Sequence, residues 1–224
     1  MTRDLTAEAG RRAFIADHTV VEAPPLVPEL RLHLATEVTA LWQATETCMN
    51  ATGLAPPFWA FAWAGGQALA RHILDTPALV RDRDVLDFAA GGGLVGLAAA
   101  RAGARHVTCV EVDPLAVSAI AANAALNGLA DRIEARCDDL TTDLSRPAPW
   151  SVVLAGDVCY EQPMADRVLA FLRARAAAGA TVLMADPGRS FLPRQGMRVA
   201  AHLSVPTSLA LEDRTRMDTV VYHL

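Results

Sequence analysis

The sequence contains no Cys-x-x-Cys pair, no His-Glu-x-x-His motif and no two histidines four residues apart. Those absences argue against a zinc knuckle, a dithiol redox site and a zincin helix, so no metal is expected. The four cysteines, Cys48, Cys109, Cys137 and Cys159, stand apart from one another. Cys109 and Cys137 lie in or beside apolar strand-like runs and read as small reduced hydrophobes. No stretch approaches the roughly 18 apolar residues that span a bilayer. The N-terminus carries no apolar run of signal-peptide length, and Asp4, Glu8 and Asp17 speak against a transit peptide. A basic surplus is missing too: the net charge of −5 disfavours a general nucleic-acid binder. Repeats and low-complexity linkers are likewise absent. The expectation is a cytoplasmic chain with no membrane or nucleic-acid partner, whose ligand is a small molecule or a protein.

What is present is apolar and regularly punctuated. At 224 residues and 52% hydrophobic, the chain can bury a core without disulfides or metals. A single domain over 1–224 is expected, with 1–63 as an N-terminal extension and 64–224 as the core. The N-terminal spacing predicts a short helix over 5–16, after which Pro24, Pro25 and Pro28 enforce extended backbone. Leu30, Leu32 and Leu34 alternate with Arg31 and His33 at the period of a half-buried strand. The stretch to Trp42 reads equally as strand or helix. Helices are expected over 65–74, from the glycine cluster to Ala102, from Pro114 to Leu126 and over 164–177. Strands are expected over 83–89, 106–111, 133–137, 151–155, 180–185, 198–205 and 219–224. Alternating strands and helices give a Rossmann-like α/β fold with a mainly parallel sheet of about seven strands. The last two strands have no helix between them, so at least one should run antiparallel.

Asp87-Phe88-Ala89-Ala90-Gly91-Gly92-Gly93 joins a predicted strand to a predicted helix. Glycine backbone lets a ligand approach closely, and a helix N-terminus offers unpaired N–H groups. Gly91-x-Gly93-x-x-Gly96 also fits the dinucleotide fingerprint, so an NAD-binding domain is a rival reading. Glu111 lies 20 residues beyond Gly91, where a carboxylate accepts ribose hydroxyl protons in either case. Three observations separate the two. Asp87 places a carboxylate where a pyrophosphate gains nothing, whereas S-adenosylmethionine carries a sulfonium and an ammonium. Roughly 80 residues precede the first binding strand, although dinucleotide domains commonly begin near it. Asp157 and Tyr160 follow the fourth strand of the predicted sheet, at the carboxyl edge where ligands of open α/β sheets bind.

These residues resemble the seven-strand, class I S-adenosylmethionine-dependent methyltransferases, and within them the lysine methyltransferases that modify proteins. Asp157-Val158-Cys159-Tyr160 matches that group's pattern of an acid followed three positions later by Tyr or Phe. Pro57-Phe58-Trp59-Ala60-Phe61-Ala62-Trp63-Ala64-Gly65-Gly66-Gln67-Ala68-Leu69 is similar to a segment of the lysine methyltransferases of the electron transfer flavoprotein β-subunit. Pro28-Glu29-Leu30-Arg31-Leu32, Gly156-Asp157 and Asp186-Pro187-Gly188-Arg189 also fit that family. The resemblance covers about residues 24–190. There are departures: Ala89 where many relatives have Gly, Glu111 for the commoner Asp, and Cys159 at an often aromatic position. An Asn-Pro-Pro-Tyr motif, suited to planar nitrogens, is absent.

The resemblance implies S-adenosylmethionine as cofactor, a protein-lysine acceptor and the electron transfer flavoprotein β-subunit as partner. It implies that Asp87 holds the methionine ammonium, Ala89, Gly91 and Gly93 approach by backbone, and Glu111 binds the ribose. Asp138 or Asp139, with Asp138 preferred, is expected near the adenine amino group. Trp150 is a candidate adenine cover or a core residue. Trp63 and Gln67 are expected beside the methionine end, while Trp59 reads more readily as packing. Asp157 and Tyr160 form the expected catalytic pair, with Asp157 acting on the lysine amine, on the cofactor or on both. The alternatives are a methyltransferase of another protein or a small metabolite, and an inactive cofactor-binding interaction module. A thermal-shift comparison separates the rival cofactors: S-adenosylmethionine should raise the melting temperature and NAD should not.

Overall fold

A computed structural model describes residues 4–35 and 56–224; Cys48 and the stretch from 36 to Trp42 lie outside them. Helix α1 (Glu8–His18) leads to strands β1 (Val20–Glu22) and β2 (Leu32–Leu34), which pair antiparallel. A short 3-10 turn at Phe58–Ala60 precedes α2 (Ala64–Asp75). The core then alternates: β3 (Asp84–Phe88), α3 (Leu94–Arg101), β4 (His106–Glu111), α4 (Pro114–Leu126), β5 (Ile133–Cys137) and β6 (Val152–Gly156). It closes with α5 (Met164–Ala177), β7 (Thr181–Asp186), β8 (Arg198–Pro206), α6 (Leu209–Glu212) and β9 (Arg216–His223).

The described strands β3 to β9 form one seven-stranded sheet in the order β5-β4-β3-β6-β7-β9-β8. The first five are parallel and β9 runs antiparallel to both neighbours. Period-two alternation sorts the strand residues onto two faces. Val85, Val107, Cys109, Val152, Leu154, Leu183 and Ala185 meet α2, α3 and α4 in one cluster. Leu86, Phe88, Val110, Val153, Ala155, Val182 and Met184 meet α5 in the other, where Phe88 stacks on Phe171 at 4.8 Å. A sheet covered on both faces needs strands apolar on both sides, which is why β3 and β6 read as continuous apolar runs. Asp87, only 1% exposed, is the exception in β3.

The amino-terminal elements clamp the glycine loop. Phe14 and Ile15 of α1 pack with Leu115, Ala116 and Ala119 of α4 and with Trp59. Asn123 of α4 accepts from the His33 N–H at 2.9 Å and donates to the Gly92 carbonyl at 2.8 Å, tying β2 to the loop. Two expectations about the elements change. Strand β2 takes Leu32 and Leu34 but not Leu30, which is buried outside it. A single helical turn, α6, interrupts the tail; its N–H groups at Leu211 and Glu212 bond to Ser208, and Asp213 in the left-handed region (φ 54°) ends it. One turn is too short to leave a periodic signal. No helix among the described residues is long and apolar enough to cross a membrane.

The strand order reverses direction between β3 and β6, and α2 is seated directly on the adjoining strand ends. A Cβ on Gly65 would lie 2.6 Å from both the Ala185 carbonyl oxygen and the Asp157 nitrogen, whereas one on Gly66 would meet nothing within 4 Å. Gly65→Ala should therefore destabilise the fold by about 1–3 kcal/mol, since backbone must move. Gly66→Ala should be neutral or stabilising by up to about 1 kcal/mol, the helix-propensity gain. Urea unfolding of both variants checks the contrast.

Candidate active site

At the reversal point, the loops after β3, β4, β6 and β7 enclose a cleft of about 330 Å³. This is the crevice that an open α/β sheet creates where neighbouring connections diverge to opposite faces. Its walls include Phe58, Trp59 and Trp63, with Ala89 and Gly91 from the glycine loop and Glu111 at the end of β4. Asp157, Tyr160 and Arg189 complete the opposite side. A smaller cavity of about 60 Å³ shares Trp59, Trp63, Ala89, Gly91 and Gly156 with the cleft and reaches Asp87.

The glycine loop turns through left-handed backbone at Ala89 (φ 52°), Gly91 (φ 55°) and Gly93 (φ 82°). Ala89 holds this conformation despite its Cβ, a cost of about 1–2 kcal/mol that the flanking strand and helix must impose. Gly96 lets α3 approach the sheet: a Cβ there would fall 2.4 Å from the Cys109 sulfur and 3.0 Å from Asp87 Oδ2. In that position the Gly96 N–H donates to Asp87 Oδ2 at 2.7 Å. Burial pushes the Asp87 carboxyl up to about 8, against the pull of the Gly96 bond and with some help from the charge of Glu111. Glu111 accepts from the Gly91 N–H at 2.7 Å and the Val112 N–H at 3.0 Å. Burial raises it above the usual carboxylate range as well. Among the described residues no basic side chain pairs with either acid, which suits a ligand that carries positive charge.

Asp157 is held from three sides. Its backbone is left-handed (φ 61°), its N–H donates to the Ala185 carbonyl at 2.9 Å, and only 6% of its side chain is exposed. Oδ2 accepts from the Gly65 N–H at 2.9 Å, and Oδ1 accepts from Arg189 Nε at 2.6 Å. The Arg189 guanidinium also forks onto Glu212 at 2.9 and 2.8 Å and lies 5.9 Å above the Trp63 ring. Tyr160 is 40% exposed, with its ring 5.4 Å from that of Phe58. Burial, followed by the charge of Glu111, pushes its phenol up to about 12, so it stays protonated at neutral pH.

The structure brings Trp63, Ala89, Gly91, Glu111, Asp157 and Tyr160 to one cleft, with Asp87 in the adjoining cavity. Gly93 instead caps α3 from behind the loop and packs on Ile120. Gln67 departs from expectation: 2% exposed, it lines neither cavity, and its amide bonds the Leu26 N–H at 3.1 Å and the Ala62 carbonyl at 2.7 Å. Trp150 departs too, because it precedes β6 and so sits toward the amino edge of the sheet. Its indole donates to Thr108 at 3.0 Å and lines a separate groove with Leu140 and Phe171. Asp138 faces away to Arg146 at 3.1 Å, and Asp139 caps the turn at Thr141, so neither lines the cleft. Trp59 lines it, although its aromatic surroundings suggested packing alone. Sequence reasoning assigned no role to Arg189 or Glu212; the Asp186–Arg189 segment was visible, but nothing local reveals what its arginine reaches.

Comparison with known proteins places this geometry. Residues 68–159 match the family model described as ribosomal protein L11 methyltransferase (PrmA). The electron transfer flavoprotein beta subunit lysine methyltransferase of Xenopus laevis is 34% identical over 92% of this chain and 80% of its own length. The Homo sapiens protein of that name is 32% identical over 92% of this chain and 77% of its own. Among solved structures, a T. thermophilus 16S rRNA N2 G1207 methyltransferase in complex with AdoMet and guanosine superposes with a TM-score of 0.51. The two are 20% identical, over 72% of this chain and 43% of that one. Magnesium protoporphyrin IX methyltransferase of Synechocystis with bound SAH gives 0.51 at 14% identity, covering 70% and 80%. At these identities the structural likeness concerns the fold alone.

The raised carboxyl of Asp87 has a measurable consequence. Its proton-linked stabilisation is fully present below about pH 4 and is lost as pH rises through about 8. Over that window one differentially bound proton tilts stability by about 1.4 kcal/mol per pH unit. Asp87→Asn keeps a neutral acceptor for Gly96 and removes the tilt. Urea unfolding without cofactor should show the variant gaining on the wild type from pH 5 to 8; parallel curves would remove the assignment.

Proposed function

Since the chain belongs to the family of electron transfer flavoprotein β-subunit lysine methyltransferases, we propose that it transfers methyl groups from S-adenosylmethionine to lysines of that β-subunit. The observation that carries the reading is identity of 34% spread over 92% of the chain, which extends well beyond residues 68–159 and through Arg189.

The residues present fit the cofactor's charge and shape. The buried acids Asp87 and Glu111 gain a cationic partner, the bare backbone of Gly91 permits close approach, and Trp59 and Trp63 supply apolar walls. Asp87 then holds the methionine ammonium, and Glu111 accepts from the ribose hydroxyls in place of the Gly91 and Val112 N–H groups. The bound cofactor supplies an electrophilic methyl group on a sulfonium, so the protein's work is alignment rather than strong acid–base catalysis. A lysine amine, with an ordinary pKa of about 10.4, must lose its proton before it attacks. Phe58, Trp63 and Tyr160 desolvate the amine and thereby favour its neutral form. Asp157 accepts a hydrogen bond from the amine and orients its lone pair. Arg189, shared with Glu212, offsets part of the charge of Asp157, which weakens its hold on an ammonium. Tyr160 keeps its proton and serves as wall and hydrogen-bond partner, not as base.

The chain has no lysine of its own, so any methyl-lysine formed belongs to the acceptor. Purified enzyme, labelled cofactor and the flavoprotein heterodimer should give label on one or two neighbouring β-subunit lysines by peptide mass spectrometry. Labelling of a different protein would reject this substrate while leaving protein-lysine methylation intact. Glu111→Ala should weaken cofactor binding by about 2–4 kcal/mol before water compensates, as two charge-assisted bonds are lost. Tyr160→Ala should leave cofactor affinity within a few-fold by calorimetry while turnover falls strongly; near-normal turnover would remove Tyr160 from the acceptor channel.

A further inference from the structure

Arg189 joins Asp157 on the cleft to the connection of the C-terminal hairpin. Of its five N–H donors, Nε goes to Asp157 and the two terminal nitrogens go to Glu212. Glu212 lies 23 positions beyond Arg189 and reaches it because the connection between β8 and β9 folds inward. The Thr207 N–H donates to the Thr215 carbonyl at 3.0 Å and the Thr207 hydroxyl to the Arg214 carbonyl at 2.6 Å, closing the base of that connection. Within it, α6 packs Leu211 against the cluster containing Trp59 and Phe61 and turns Glu212 inward until its side chain is 3% exposed. On the other side, Asp186 Oδ1 accepts from the Gly188 and Arg189 N–H groups at 2.7 and 2.6 Å and fixes the turn that presents the arginine.

A guanidinium free to rotate would fork onto Asp157, because two parallel bonds to one carboxylate are its preferred geometry. Glu212 already occupies that fork. With that end of the guanidinium turned to Glu212, Asp157 receives a single bond, from Nε, and keeps acceptor capacity toward the cleft. We propose that Glu212 is a positioning residue for methyl transfer: by holding the Arg189 fork it sets the orientation of Asp157 toward the lysine amine. This rests on the acceptor role given to Asp157 above. It predicts an effect on turnover and none on the cofactor, whose proposed ligands Asp87 and Glu111 lie on the other strands of the cleft.

Glu212→Gln keeps the size and breaks the charged fork. Its turnover should fall by about tenfold to a hundredfold, as misplacement of an aligning group does, with cofactor affinity within about twofold. Glu212→Asp should recover part of the loss. In an Arg189→Gln background, Glu212→Gln should have no further effect on turnover; an undiminished effect there would overturn the proposal. A readout that needs no acceptor protein accompanies these: the Arg189 Nε–H signal of ¹⁵N-labelled enzyme should exchange faster with water in Glu212→Gln. Unchanged protection, with the melting temperature and turnover also unchanged, would equally overturn it. Failure of the wild type to label the β-subunit, with the exchange result as expected, would instead reject the substrate and leave the positioning role standing.

Discussion

The close approach of α2 to the ends of β6 and β7 governs the rest of the site. Gly65 and Gly156 make it sterically possible, since a Cβ on either would meet backbone within 2.6–2.9 Å. The approach brings the Gly65 N–H to Asp157, whose left-handed backbone would otherwise be an unfavourable conformation for a residue with a side chain. Strain at Asp157 is thus held by three fixed partners, the Gly65 N–H, the Ala185 carbonyl and Arg189. A carboxylate restrained in this way can direct a hydrogen bond without reorganising, which is what an alignment-limited displacement requires.

The glycine-loop side of the cleft depends on burial rather than restraint. Asp87 is fully buried and Glu111 half-buried at their strand ends, and each is satisfied by backbone N–H groups of the glycine loop or the helix behind it. Low dielectric makes their charge costly in isolation and strengthens any attraction to a cation. Selection for a positively charged ligand follows from the same burial that raises their pKa values. The Asp157 side differs, because Asp157 already has a cationic partner in Arg189, which it shares with Glu212. One cleft and its adjoining cavity therefore present two kinds of carboxylate.

The matched region of the L11 methyltransferase model ends at residue 159, just past Asp157. The relatives that modify the electron transfer flavoprotein β-subunit continue to match beyond it. Arg189 and Glu212 lie beyond residue 159, so the arginine that meets Asp157 and its second partner fall outside the region that the L11 methyltransferase model matches. This division fits a fold in which one half binds a common methyl donor and the tail adapts the site to its acceptor.

Much of the architecture was legible in sequence because it is written at short range. Period-two and period-3.6 patterns fixed the core strands and helices to within a few residues, and the antiparallel tail followed from the missing crossover helix. The glycine loop, Asp87 and Glu111 were legible because strand ends and loop lengths force them to one edge of the sheet. Gln67 and Trp150 were misplaced for the opposite reason. The resemblance suggested a ligand contact for Gln67 and the aromatic face one for Trp150, but only packing decided that the Gln67 amide would bond Leu26 and that the Trp150 indole would bond Thr108. Asp157 meets Gly65 across 92 positions, and Arg189 meets Asp157 and Glu212 across 32 and 23. Contacts of that span leave no periodicity or local spacing behind. They exist only once the sheet order has carried distant strand ends to the same edge.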